Sequence, residues 1–460
     1  QTDRNAFQDF DHIALLGSCT KWVRRVTEAS RIDDYVDQAF AIACSGRPGP
    51  VALMLPADFL LEPGPQAHRS VHLGQFPLDR PVADPKQIAA AADAILAARS
   101  PVVIAGGGVH VSGAEAELAA LQELAHLPTA TTTMGKGAVS ELHPLSLGVV
   151  GANMGPNAMS RHQRHFIVDA DLVILIGNRT NQNGTDSWKL YPDKARYIHI
   201  DIDGAEIGRN YEALRLLGDA RETLKALNTV LEKRDLSRRR DARGKLAARI
   251  AQAREQAWQE SAKVRLSDAM PIRPERLMEE LRKVVTADSI VVADASYSSI
   301  WITNYLDSKK AGQRFLTPRG LAGLGWGFPM ALGAKIAKPD ADVFCVVGDG
   351  GFGHVWSELE TARRTGIKIT LIVINNGVLG YQKHAENVKF GAHTTAVDFH
   401  PVDHAAIARA CGCMGIRIER PTDLPAALEA ATASKTTALI EVICDENAYP
   451  PISFYTPDAV

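Results

Sequence analysis

Two oxygen-bearing side chains follow neighbouring predicted strands near the end of the chain. Asp349 comes just after the apolar run 343–347, and Asn376 comes just after the run 369–374. The segment 353–366 between them has a helical pattern that ends at a glycine, so we predict one helix there. A strand, a helix and a second parallel strand form a right-handed unit, which brings the two strand ends to one edge of a sheet. We therefore expect the carboxylate and the amide to lie close together, where ligands of such sheets bind.

Glycines surround the acid. Gly348, Gly350 and Gly351 allow backbone N–H groups to approach a phosphate closely, and the start of a helix adds positive potential. Oxygen ligands suit Mg²⁺ or Ca²⁺, and Mg²⁺ usually completes its shell with phosphate oxygens and water. The pattern therefore predicts a joint site for a divalent cation and a phosphorylated ligand.

Strand and helix patterns alternate along most of the chain. This alternation predicts parallel sheets covered on both faces, so the fold class is α/β, with successive doubly wound parallel-sheet domains and a central Rossmann-like domain. Strands are predicted at 50–56, 101–105, 129–133, 172–176, 197–201, 289–294, 343–347, 369–374 and 438–443, and helices at 31–45, 86–98 and 114–126. Composition divides the chain into a segment 1–62, a linker 63–85, a central domain 86–230, a helical connector 231–273 and a final domain 274–460.

Bulk properties exclude several classes of protein. The 460 residues predict two or three domains, and 51 Lys and Arg against 53 Asp and Glu give no case for a nucleic acid or an acidic membrane as the main partner. The basic run 234–243 is interpreted as a solvated linker face. The scattered cysteines lack zinc-ligand or CxxC spacing, and no apolar run has membrane-spanning length. These features favour a reducing cytoplasm.

The glycine–acid–glycine motif around Asp349 and the Asn375-Asn376 pair resemble the diphosphate-binding signature of thiamine diphosphate (ThDP) enzymes. The succession of segments is similar to the acetohydroxyacid synthase/pyruvate oxidase group, and the resemblance covers nearly the whole chain. Further matching segments are Ala6-Phe7-Gln8, Thr20-Lys21 and 45–51. The resemblance implies ThDP-binding domains, with residues 1–62 as the C-terminal part of a pyrimidine-binding domain whose N-terminal part is absent.

The resemblance implies ThDP and Mg²⁺ as cofactors and assigns residues to both. The implied metal ligands are Asp349, Asn376 and the carbonyl of Val378. The implied cofactor contacts are Ser296, Tyr297, Ser298, Gly323, Leu324, Gly348, Asp349, Gly350, Gly351, Asn376, Val378, Leu379, Gly380 and Tyr381. Leu324 stands where the family places a large apolar residue beneath the bent cofactor.

Substrate contacts are implied at three further positions. Phe7 and Gln8 fall where the synthases line the pocket from the partner subunit, which implies a homodimer or homotetramer with shared active sites. His384 follows the Asn-Asn loop and is a candidate proton carrier, with plain polar lining as the alternative. The aromatic tail 449–455 is interpreted either as a lid over the active-site mouth or as a surface strap.

This chain departs from the family at several places. Members activate ThDP with a glutamate that no Glu here matches, so we expect that residue to precede Gln1 in the full protein. Ala385 replaces a tryptophan, Ala57 replaces a lysine, and 178–185 replaces an Arg-Phe-Asp-Asp stretch of the synthases. FAD is therefore not expected, although Gly106-Gly107-Gly108 leaves it open.

The implied function is a ThDP- and Mg²⁺-dependent lyase, carboligase or decarboxylase for 2-keto acids or 2-hydroxyacyl compounds, similar to acetolactate synthase. Two alternatives stay open. One is a non-catalytic ThDP-fold protein with a binding or regulatory role, and the other is an FAD-linked 2-keto acid oxidase. In each case the ligand is a small molecule. The acyl donor and acceptor, the release of CO₂ and the oligomer size are not predicted.

Overall fold

The protein folds into alternating helices and strands. The structure, a computed structural model, describes residues 4, 6–7, 10–63, 73 and 75–453. The α-helices are α1 (His12–Gly17), α2 (Ile32–Cys44), α3 (Pro85–Ala97), α4 (Gly108–Ser112), α5 (Glu115–Leu124), α6 (Arg164–Val168), α7 (Ala220–Leu231), α8 (Ser237–Arg265), α9 (Pro274–Val284), α10 (Tyr297–Tyr305), α11 (Gly327–Ala337), α12 (Asp349–Gly353), α13 (Glu358–Thr365), α14 (Gly380–Phe390), α15 (His404–Ala410) and α16 (Leu424–Ala433). The strands are β1 (Trp22–Arg25), β2 (Val51–Met54), β3 (Pro101–Ala105), β4 (Thr129–Thr131), β5 (Ser146–Val149), β6 (Leu172–Ile176), β7 (Arg196–Asp201), β8 (Leu214–Leu217), β9 (Ile290–Ala293), β10 (Phe315–Leu316), β11 (Val343–Gly348), β12 (Thr370–Asn375), β13 (Met414–Ile418) and β14 (Ala438–Ile443).

The C-terminal sheet contains six parallel strands in the order β10-β9-β11-β12-β14-β13. Successive residues of its strands point to opposite faces. Val343, Cys345 and Val347 of β11 therefore pack into one core, whereas Phe344 and Val346 pack into another. Both faces are covered, and only the strand ends remain for polar chemistry.

The central sheet repeats this plan with the order β5-β4-β3-β6-β7-β8, again all parallel. Its strands also divide their apolar residues between two cores, with Val103 on one side and Val102 and Ile104 on the other. The two sheets are held together in part by a buried contact, because the Glu141 carboxylate accepts the backbone N–H of Ser308 at 2.8 Å.

The α/β fold class is confirmed, and the predicted strands and helices are present with shifts at their ends. Strand β4 ends at Thr131, before the predicted end. The short strands β1, β5, β8, β10 and β13 were missed because they lack long apolar runs. None of the helices in these described stretches is both long and apolar enough to cross a lipid bilayer.

The prediction of one helix over 353–366 is wrong. The chain is already helical at Asp349 in α12, leaves the helix after Gly353, and becomes helical again in α13. Glycine is a poor helix former, and α12 contains three glycines, so the interruption has a local cause. The predicted end is confirmed, because Gly366 adopts a left-handed conformation with φ of 67°.

Candidate active site

The predicted acid and amide do meet at the carboxyl edge of the C-terminal sheet. Strands β11 and β12 are adjacent, with Gly348 opposite Ile374 in the register. One carboxylate oxygen of Asp349 accepts the backbone N–H of Gly377, which follows Asn376, at 2.7 Å. The other accepts the N–H of Gly350 at 2.8 Å. The two strand ends are thus tied together through the acid.

Asp349 carries a charge that the protein compensates only in part. Its exposed fraction is 7%. Burial raises the pKa of its carboxyl group to about 6, although hydrogen bonds from backbone N–H groups act in the opposite direction. A bound cation would stabilise the ionised form. The environment of Asp349 therefore fits a metal ligand.

The loop after β12 is held by a segment that the sequence did not single out. Val378 forms an antiparallel bridge with Asp398. The Leu379 N–H donates to the Val397 carbonyl at 2.8 Å, and the Phe399 N–H donates to the Gly377 carbonyl at 2.8 Å. This pairing fixes the path of the loop that carries Asn376 and the Val378 carbonyl. No local motif marks residues 397–399, so only their position in space reveals the role.

Two glycines beside the acid are required by close packing. A Cβ atom on Gly351 would overlap the Asp294 carboxylate, and one on Gly350 would lie 2.8 Å from the Phe399 ring. Real Cβ atoms do not approach other atoms so closely. The predicted importance of these glycines therefore has a steric reason in addition to access for a phosphate.

Asp294 is a residue that sequence reasoning missed. It is 1% exposed and follows β9. Its carboxylate accepts the backbone N–H groups of Gly325 at 2.9 Å, Trp326 at 3.1 Å and Gly327 at 3.1 Å. It thereby holds the loop that presents Leu324. An acid directly after an apolar strand was the available signal.

The second predicted loop lies against the first. Ser296 has φ of 68° and ψ of −144°, a conformation that strongly favours glycine, and such strain is concentrated at functional sites. Helix α10 begins directly after it, so its free N–H groups face this edge. Ser298 is buried, and its hydroxyl oxygen would be 4.0 Å from a Cβ on Gly348.

One cleft collects most of the predicted residues. Its wall consists of Pro274, Ala295, Ser296, Tyr297, Ser298, Trp301, Leu324, Gly348, Asp349, Gly350, Gly351, Ile374, Asn376, Val378, Leu379, Gly380 and Ala448. Gly323 and Tyr381 do not line it. Gly323 is exposed, and Tyr381 packs edge-on against the Tyr297 ring at 5.6 Å.

The predicted substrate residues lie elsewhere. His384 is outside the cleft wall and lines a separate cavity with Tyr449, on whose ring it stacks at 4.1 Å. Its Nδ1 lies 2.6 Å from the Tyr297 hydroxyl, and burial lowers its pKa. Phe7 is 92% exposed and is not part of this cleft. Gln8, Phe454 and Tyr455 lie outside the described residues.

Comparison with known proteins decides the family. The profile described as "Thiamine pyrophosphate enzyme, C-terminal TPP binding domain" matches residues 294–442, and the corresponding central-domain profile matches residues 88–227. The chain belongs to the thiamine pyrophosphate enzymes. The predicted resemblance is thereby confirmed, and the cleft lies within the matched TPP-binding domain.

Relatives of this thiamine pyrophosphate enzyme match it over almost its whole length. A probable acetolactate synthase large subunit of Methanococcus aeolicus is 32% identical, over 96% of this chain and 75% of that protein. An acetolactate synthase of Arthrospira platensis is 30% identical, over 98% of this chain and 77% of that protein. A glyoxylate carboligase of Escherichia coli O157:H7 is 29% identical, over 95% of this chain and 74% of that protein.

Proposed function

We propose that this protein is a ThDP- and Mg²⁺-dependent carboligase or decarboxylase that acts on 2-keto acids or 2-hydroxyacyl compounds. The names of its relatives, acetolactate synthase and glyoxylate carboligase, support this class of reaction. The observation that carries the proposal is the tie between the buried Asp349 carboxylate and the loop of Asn376 at adjacent strand ends.

The residues of the cleft fit a magnesium diphosphate. Asp349, Asn376 and the Val378 carbonyl would hold the cation through oxygen atoms, the ligand type that Mg²⁺ prefers alongside phosphate oxygens and water. The glycine backbone at 350–351 and the first turn of α10 offer N–H groups to the phosphate oxygens. Bound ThDP supplies a nucleophilic carbon and an electron sink for C–C bond chemistry.

Other residues of the chain orient the cofactor and the protons around it. Leu324 presents an apolar side chain to the cleft from a loop that Asp294 holds rigid. The Tyr297 hydroxyl, which belongs to the cleft wall, can exchange a proton with His384 Nδ1. His384 therefore acts through Tyr297 as a positioning and proton-holding residue.

The assembly is proposed to be a homodimer or homotetramer in the cytoplasm. Leu321 is fully exposed and Leu324 is 40% exposed, and both lie on the loop beside the cleft, where a second subunit would cover them. The six cysteines, all within the described residues, are free thiols, which supports a reducing compartment.

The test is calorimetry of ThDP binding with and without Mg²⁺, followed by product analysis with a panel of 2-keto acids. We expect metal-dependent binding and turnover of at least one keto acid. Absence of metal-dependent binding by the intact oligomer would contradict the proposal. Binding without any turnover would favour the non-catalytic alternative.

A second candidate, an FAD-linked oxidase, is supported by a cavity of about 530 Å³ between the central and C-terminal sheets. Gly106, Gly107 and Gly108 line it opposite Gly177, and a Cβ on Gly106 would overlap the Gly177 carbonyl oxygen. Such a glycine wall allows a nucleotide to approach the backbone. The visible absorption spectrum of the purified protein tests this, since bound FAD makes the protein yellow and a colourless, active protein excludes the candidate.

A further inference from the structure

A cavity of about 360 Å³ lies at the amino edge of the central sheet, opposite the edge that holds the glycine wall. Residues just before β3 and β4 form its floor, and helix α8 forms its side. We name this cavity the basic groove. It is lined by Ala98, Arg99, Ser100, Pro101, His126, Pro128, His165, Phe166, Asp169, Arg238, Arg239, Ala242, Lys245, Leu246 and Arg249.

One face of α8 provides most of the positive charge. Arg238, Ala242, Lys245 and Arg249 follow the spacing that places residues on the same side of a helix. The basic run 234–243 was interpreted as a solvated linker face. The structure places residues 237–243 of this run in α8, and two of its cations, Arg238 and Arg239, line the cavity.

These cations lack acidic partners. In the part of the chain that the structure describes, none of Arg99, Arg238 and Lys245 forms an ion pair. By contrast, Arg243 on the neighbouring face of α8 pairs with Glu123 at 2.9 Å. The chain as a whole has a formal net charge of −2. Asp169 also lines the groove, and Asp171 interacts electrostatically with Arg239, so the five lining cations exceed these two acids and leave a local excess of positive charge.

Polar atoms in the groove wall are also unsatisfied. Among the described residues, neither His126 Nδ1 nor Arg239 Nε has a hydrogen-bond partner, although both atoms are buried. A buried polar atom without a partner is destabilising. Burial and the neighbouring Arg238 lower the pKa of Arg239 to about 10. The Nη2 group of Arg239 donates to the carbonyls of Ile95 and Ala98, so this guanidinium is a fixed positive group of the wall.

The backbone at His126 has a left-handed conformation that usually favours glycine. His126 follows α5 and has φ of 49°, where glycine would normally end a helix without strain. A histidine in this conformation is strained relative to glycine. Its ring lines the groove, so the strained position delivers a nitrogen to the cavity.

We propose that the basic groove binds a small organic phosphate that carries two or more negative charges. Arginine forks match phosphate oxygens in geometry, and several cations can share one polyanion. The volume lies within the range of about 300–1,000 Å³ for small-molecule sites. The ring of Phe166, over which the Arg249 guanidinium lies at 5.0 Å, offers an apolar wall for the organic part.

The test is calorimetric titration of ATP and of inorganic tripolyphosphate into protein already saturated with ThDP and Mg²⁺, so that the cofactor cleft is filled. We expect one site per chain, with ATP binding at least as tightly as tripolyphosphate. The double variant Arg238→Gln/Lys245→Gln should weaken binding by about tenfold for each cation removed.

The control for each single variant, Arg238→Gln or Lys245→Gln, is Arg243→Gln, which likewise removes one charge from the same helix but from the residue that pairs with Glu123. It should leave the affinity within about twofold, because weakly coupled surface charges contribute little. Thermal unfolding of all variants checks that they fold. Absence of binding, or equal losses in the control and the groove variants, would overturn the proposal. Tighter binding of a short DNA duplex than of ATP would overturn it as well, since the groove would then belong to a nucleic-acid surface.

Discussion

The two six-stranded sheets share one architecture but differ in what their carboxyl edges hold. Each edge has a buried aspartate at the end of an apolar strand. Asp349 directly follows β11 of the C-terminal sheet, Asp201 is the last residue of β7 in the central sheet, and burial raises the pKa of both to about 6. Asp349 binds two glycine N–H groups and faces an amide loop. Asp201 accepts the Asp203 N–H at 2.9 Å and has the acidic neighbours Asp203 and Glu206.

Burial of an acid at a sheet edge therefore does not by itself predict a cation site. Both carboxyl groups have a raised pKa, but Asp349 is tied to the loop that carries Asn376, whereas Asp201 lies beside Asp203 and Glu206. A parallel sheet provides the place, and the side chains that follow its strands provide the chemistry. Variants at matched positions of the two sheets can test this.

The largest expected effect comes from removing the charge of Asp349, with removal of the charge of Asp201 as the matched comparison. Asp349→Asn should weaken Mg²⁺-dependent ThDP binding by about 100-fold or more, since a charge-assisted contact contributes up to about 3 kcal/mol. Asp201→Asn should change it by less than about twofold. Calorimetry on both variants decides, and similar losses in the two would show that a general electrostatic effect, rather than ligation, is responsible.

Glycine replacement is expected to separate stability from binding. Gly351→Ala should lower both the melting temperature and ThDP affinity, because overpacking costs about 1–3 kcal/mol and displaces Asp294. Gly106→Ala, which meets the Gly177 backbone, should lower the melting temperature alone. Gly353→Ala, with its nearest neighbour atom 4.0 Å away, is the control. Unchanged ThDP binding by the Gly351 variant would refute the steric role.

Acid should weaken cofactor binding, and protonation of Asp349 is one cause of this. A proton competes with Mg²⁺ once the pH falls below the pKa of about 6, so affinity should drop about tenfold per pH unit there.

In the absence of the cofactor, the effect of pH on folding stability through this group has the opposite sign. A raised pKa in the folded state makes this group most favourable to folding below pH 4, and that contribution is lost as the pH rises through about 6. The Asp201→Asn variant should retain the pH dependence of ThDP binding. If the dependence is lost in this variant, Asp201 rather than Asp349 is responsible for it.

The smallest expected effect concerns a hydroxyl group. Tyr297→Phe removes the hydrogen bond to His384 and should lower kcat about fivefold, in line with about 1 kcal/mol for one such bond. Tyr191→Phe, which removes a buried hydroxyl near Asn178 in the central domain, should leave kcat unchanged. Steady-state kinetics with the keto acid found in the product screen measures both, and an unaltered kcat for Tyr297→Phe would remove His384 from the mechanism.

Much of the candidate site could be predicted from sequence because its signals are local. An apolar run with period two indicates a strand, and the residue after it lies at the sheet edge. Asp349, Asn376, Leu324 and Ser298 were found in this way or through the family resemblance, and all line the cleft. Gly323 and Tyr381 were not brought into its wall, because a neighbouring residue in sequence need not face the same way.

By itself, the sequence determined most of the strands, the polar residues that end them and the glycines beside Asp349. These depend on side-chain chemistry and on periodicity within a few residues. Only the tertiary structure decided that Asp294 holds the Leu324 loop, that residues 397–399 fix the loop of Asn376, and that cations of α8 face a groove. Such contacts join segments far apart in the chain, and their geometry follows from packing of the whole domain rather than from any local pattern.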